Sequence, residues 1–92
     1  QMNKQIVVIG KRWFSENTYH TVAVYVDGDL LEVSPITYGY GEHYNDTAKE
    51  ILFKHGIYER VNTPIALWNL VKTDNGDKLI STVSDVARKK DL

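Results

Sequence analysis

From residue 4 to residue 38 apolar and polar positions recur with the two-residue period of β-strands. From residue 44 the period lengthens to that of a helix. Lys4 to Phe14 is rich in β-branched and aromatic residues and predicts a first strand. Within it Ile6, Val8, Gly10, Arg12 and Phe14 alternate with Val7, Ile9, Lys11 and Trp13, so both faces carry apolar side chains. Ser15, Glu16 and Asn17 interrupt with turn chemistry. A second strand from about Tyr19 to Val26 sends His20, Val22, Val24 and Val26 one way and Tyr19, Thr21, Ala23 and Tyr25 the other. Asp27-Gly28 supplies the positive φ angles of a two-residue hairpin turn. Leu30 to Tyr38 then predicts a third strand, antiparallel to the second. Pro35 has no N–H to give a ladder, so an edge position or a bulge is expected there.

Tyr44, Ala48, Ile51, Leu52 and His55 form one helical stripe about three turns long. That stripe places the helix start near Glu42 or His43, and Gly56 suits the left-handed residue that ends a helix. His55 falls in the last turn, where a cation is favoured. Further on, Thr63-Pro64 has the chemistry of an N-cap followed by a first helical residue, and Leu67, Trp68 and Val71 suit one face of a second helix. Asn75-Gly76 is a rival signal for a hairpin joining two strands. Leu79 to Val86 predicts a final strand, and a basic tail of residues 88–92 ends the sequence. The order β-β-β-α-α-β predicts an α+β fold: an antiparallel sheet, a meander plus a C-terminal strand, with helices packed on one face.

Composition narrows the picture further. The sequence of 92 residues suits one domain spanning 1–92, and a core this small needs most of its apolar residues. Eleven basic against twelve acidic residues exclude a uniformly cationic surface for polyanions and a uniformly acidic one. With no cysteine there is no disulfide framework, no thiolate nucleophile and no cysteine-bound zinc. No apolar run approaches the roughly 20 residues of a membrane span. A cytoplasmic protein without a membrane anchor is the expectation, with Gln1 ahead of Met2 read as an appended residue.

Candidate chemistry is sparse. Tyr38-Gly39-Tyr40-Gly41 joins a strand to a helix, an order that offers free N–H groups to an anion. It lacks the lysine and hydroxyl residue of a Walker loop, and it is not the three-glycine dinucleotide fingerprint. A strand-to-helix hinge is the simpler reading. His20, His43 and His55 have no metal-ligand spacing, and no metal or cofactor is expected. Asp27 and Asp29 flank a hairpin glycine and are explained by turn chemistry. There is no Gly-x-Ser-x-Gly elbow, and a small nuclease or hydrolase centred on His20 and His43 is the last of the alternatives.

The surface carries more. If the valine face of the second strand is core, aromatic residues remain over for the other face. Arg12, Trp13, Tyr19, Tyr25, Tyr38, Tyr40, His43 and Tyr44 are candidates for a surface that meets a protein partner or a second copy. The alternative is nucleic acid, with Lys11, Arg12, Arg60, Arg88, Lys89 and Lys90 gathered into one patch and tyrosines stacking on bases.

Arg12-Trp13-Phe14, Asn17-Thr18-Tyr19-His20, Tyr38-Gly39-Tyr40-Gly41 with Tyr44 and Thr47-Ala48, and Ser84-Asp85-Val86 before Arg88-Lys89-Lys90-Asp91-Leu92 together resemble a family of small hypothetical proteins of bacteriophages and prophages. The resemblance spans nearly the whole sequence and implies a cytoplasmic viral or mobile-element accessory protein. It implies no catalytic residues. The three-strand meander leading into a helix is also similar, in topology only, to double-stranded-RNA-binding domains. Here the helix opens with Glu42, His43, Asn45 and Asp46, not with a lysine cluster for phosphates.

Overall fold

The computed structural model of the protein describes residues 3–71 and 76–92. Strands β1 (Gln5–Phe14), β2 (Thr18–Val26), β3 (Asp29–Val33), β4 (Thr37–Tyr38) and β5 (Lys78–Asp85) form one sheet. Helix α1 (His43–Lys54) and the one-turn helix α2 (Leu67–Leu70) lie between β4 and β5 in sequence. A 3-10 turn, Lys89–Asp91, follows β5. The order across the sheet is β3-β2-β1-β5, with β4 continuing the β3 side against β2. The fold is α+β, and the sheet is antiparallel except at β5, which runs parallel to β1.

Local chemistry explains the elements. Asp27 and Gly28 both have positive φ, 53° and 87°, as the two-residue turn between β2 and β3 requires. The expected third strand is broken in two at Ser34-Pro35-Ile36. Pro35 gives no N–H, while Ser34 closes the gap by bonding Val22 through both backbone and hydroxyl. Helix α1 starts at His43 and ends before Gly56, whose φ is +72°.

The expected second helix is reduced to a single turn. Thr63 and Pro64 do not cap it. Its N-cap is Ala66, in extended conformation, and the Ile65 carbonyl just before it accepts a bond from Lys49 Nζ of α1. The Asn75 half of the rival Asn75-Gly76 turn lies outside the described residues.

The core sits between the sheet and α1. Ile6, Val8, Val22 and Val24 reach it from the sheet, each at most 1% exposed, and meet Tyr44, Ala48, Ile51 and Leu52 of α1 with Leu67 and Leu70 of α2. Each fully buried aliphatic side chain contributes about 1.5–3 kcal/mol. Gly10 is the one gap in the β1 stripe. A Cβ there would meet the Tyr44 ring at 3.0 Å, so the missing side chain is the seat of that tyrosine. No helix among the described residues is long and apolar enough to cross a membrane.

Candidate interaction surface

Register decides what stands on the other side of the sheet. Antiparallel pairing sets Val7 opposite Tyr25, Ile9 opposite Ala23, Lys11 opposite Thr21 and Trp13 opposite Tyr19. Tyr19 in turn pairs with Tyr38, and Ile9 with Thr82 of β5. Directly opposed residues share a face. This face therefore carries Val7, Ile9, Trp13, Tyr19, Tyr25, Tyr38 and Ile80, and among the described residues no helix covers it.

At one end the rings form a connected series. Trp13 stacks on Tyr19 with centroids 5.8 Å apart and planes 30° from parallel. Tyr38 meets Tyr19 edge-on at 5.8 Å, and Tyr40 meets Tyr38 edge-on at 5.4 Å. The Tyr38 hydroxyl donates to the Tyr40 hydroxyl at 2.7 Å, and Tyr40 reaches Asn17 Oδ1 at 3.4 Å. The bond to Tyr40 holds the Tyr38 phenol above its ordinary pKa. Each ring pair is worth about 0.5–1.5 kcal/mol beyond burial, enough to hold the series in place while half of Tyr38 stays in water.

Beside the rings lies a shallow groove of about 290 Å³, lined by Trp13, Tyr19 and Ile36 on its apolar side and by Glu16, Asn17 and Lys89 on its polar side. At the other end Ile9, Leu30, Val33 and Ile80 are 41–54% exposed. Surface this apolar, contiguous with half-exposed aromatics, is characteristic of contact sites rather than of bare solvent boundary.

Of the residues expected on an interaction surface, Trp13, Tyr19, Tyr38 and Tyr40 are brought together, and Tyr25 shares their face from the far end of β2. Arg12, His43 and Tyr44 are not. Arg12 stands on the helix side of β1, where its guanidinium donates to the Gly41 carbonyl at 2.9 Å and to Asp85 at 3.1 Å. It straps β1, β5 and the strand-to-helix loop together. Tyr44 is 6% exposed, in the core over Gly10. His43 opens α1, seated against Gly39, where any Cβ would lie 2.6 Å from its ring. The glycines of the Tyr38–Gly41 stretch thus have separate tasks: Gly39 admits the histidine and Gly41 takes a φ of +54°.

The six cations proposed for nucleic acid do not form one patch. Lys11 is on the uncovered face and Lys89 on the rim of the groove. Arg60 pairs with Glu50 at 2.9 Å and lies over the Phe53 ring, Arg88 pairs with Asp91, and Arg12 faces the helix layer; Lys90 is exposed in the 3-10 turn.

His20 and His43 do approach, with ring centroids 5.9 Å apart. His20 is 1% exposed, its Nε2 2.7 Å from the Thr47 hydroxyl, and its Nδ1 has no hydrogen-bond partner among the described residues. Burial, then repulsion by His43, lowers its pKa against the smaller opposing pull of the Gly39 backbone. A neutral imidazole sealed in the core bonds a threonine; it does not present itself to a substrate. Among the described residues no group of three or more His, Cys, Asp or Glu side chains is placed to hold a metal ion.

Sequence reading missed Val33, Ile36 and Ile80 as members of the uncovered face. Strand parity carried the signal, but only once the partners of β3 and β5 are fixed. No protein family, curated protein or solved structure matches the chain.

Proposed function

We propose that the protein is a small interaction module that binds a protein partner through the uncovered face of its sheet, with the Trp13-Tyr19-Tyr38-Tyr40 rings and the adjoining groove as the centre of contact. On the resemblance to phage and prophage proteins, it acts as an accessory protein in the cytoplasm of a bacterial host, and the partner comes from host or phage. The observation that carries the reading is the ring series, held by stacking and a hydroxyl pair yet with Tyr38 and Tyr40 half open to water. Rigid aromatics of this kind give contact area at low entropic cost. The groove supplies both an apolar wall and polar groups, Asn17, Glu16 and Lys89, to orient an extended segment.

The test is photocrosslinking from position 19 or 40 in infected or lysogenic cells, with position 50 on the helix side as control. The reading predicts a discrete protein adduct from the face positions and none from position 50. Its binding to purified protein then weakens about tenfold or more in Tyr38→Ala and in Trp13→Ala. Equal adducts from both sides would overturn it. So would tight binding of single-stranded oligonucleotides with a steep salt dependence, the signature of phosphate contacts.

A further inference from the structure

The two edges of the sheet are built differently. On the β3 side the edge strand has five residues, its register with β2 shifts between Val24 and Tyr25, Pro35 follows, and β4 adds only two residues. Glu32 on that side is engaged by Lys54 of α1 and by His55, the residue that follows the helix. Bulges, proline, shortness and charge are the devices that keep an edge from pairing. The β5 edge has none of them. It is eight residues long, Lys78-Leu79-Ile80-Ser81-Thr82-Val83-Ser84-Asp85, with charges only at its two ends and unbroken register against β1.

Its outward backbone groups can be assigned. Lys78 N–H donates to the Lys4 carbonyl and Val86 N–H to the Arg12 carbonyl, so even-numbered residues turn their backbone groups toward β1. By the two-residue period, Leu79, Ser81, Val83 and Asp85 turn theirs outward. Among the described residues no strand pairs with that side.

We propose that this edge pairs antiparallel with the β5 edge of a second copy, about a two-fold axis at Ser81, merging two sheets into one. A two-fold axis perpendicular to the sheet keeps each side chain on its own face, so opposed residues must both be even or both odd. With the axis at Ser81, Leu79 meets Val83 of the second copy on the helix side, and Ile80 meets Thr82 on the uncovered side. Leu79 and Val83 are only partly buried at the core margin, so the pairing completes their cover. An axis at Thr82 would set Leu79 against the Asp85 carboxylate. One at Ile80 would shorten the overlap. The Ser81 register exchanges about six N–H···O bonds, two at each hydrogen-bonded pair. It also leaves the aromatic end of both copies free, so the pairing is independent of the partner proposed above.

Sedimentation velocity over a concentration series to the millimolar range tests this, with single-cysteine variants of a chain that has no cysteine of its own. The two Ser81 Cα atoms would stand about 5.5 Å apart in a hydrogen-bonded pair, within disulfide reach. Ser81→Cys is expected to oxidise to a covalent dimer. Ser84→Cys, about 20 Å from its copy at 3.4 Å per residue, is not. Thr82→Lys leaves the core alone and is expected to raise the dimer dissociation constant tenfold or more, by placing cations of both copies within one screening length. A monomer at every concentration would overturn the proposal. So would a dimer that crosslinks through Ser84→Cys or through Lys11→Cys on the uncovered face instead.

Discussion

The two faces of the sheet are made from the same strands and nearly the same residue types, yet one is sealed and the other is not. On the helix side Ile6, Val8, Val22 and Val24 are at most 1% exposed. One residue along, on the opposite side, Ile9 is 41% exposed, with Leu30, Val33 and Ile80 near half. An antiparallel sheet with one wet face ordinarily puts polar residues there. Here the wet face keeps valine, isoleucine and five aromatic rings. Folding needs one apolar face against α1; the second is not covered by a helix among the described residues, and the proposed function assigns it to contact with a partner.

That contrast can be broken by mutation. Leu52→Ala opens a cavity under the sealed face and is expected to cost about 2–5 kcal/mol in denaturant unfolding. Ile9→Ala or Val33→Ala on the other face should cost well under half of that. Comparable losses on both sides would mean the uncovered face carries the fold too.

Next in size, Gly10→Ala is expected to cost about 1–3 kcal/mol by pushing the Tyr44 ring off its seat. The paired change with Tyr44→Leu should recover part of it. If Gly10→Ala is neutral, Tyr44 does not rest there as described.

A smaller effect concerns acid. His20 is held below its ordinary value of 6.5 by burial and by His43, so the unfolded chain binds the extra proton first. Its neutral form supports stability fully above pH 6.5, and that support is lost as pH falls below 6.5. Glu32, held below 4.5 by His55 and Lys54, adds a loss only further down. Thermal melts should therefore show a decline beginning near pH 6.5 that is absent in His20→Gln. A decline unchanged in that variant would place its source elsewhere.

Much of the fold was legible because its signals are local. The His20-Val22-Val24-Val26 alternation marked the sealed face, Asp27-Gly28 the turn, and Tyr44 to His55 the helix. The parallel return of β5 beside β1 was not legible, since a strand's own pattern does not name its neighbour. The second helix failed for a related reason: Thr63-Pro64 has capping chemistry, but Lys49 of α1 takes the Ile65 carbonyl and Ala66 is extended. The candidate site was legible in part. Arg12 falls in the same alternation as Ile6 and Val8, and Tyr44 heads the buried helical stripe, so parity already separated both from Trp13 and Tyr19. Ile80 and Val33 join the face only through long-range pairing.

The most direct test measures binding and folding in one variant, Tyr38→Ala combined with Tyr40→Ala, using the partner captured by crosslinking. Affinity is predicted to drop at least tenfold while the variant still unfolds in one cooperative transition, its melting temperature lowered by roughly 5–15 degrees for the two surface ring pairs and the hydroxyl bond it loses. Unchanged affinity with an intact fold would contradict the assignment of this face as the working surface.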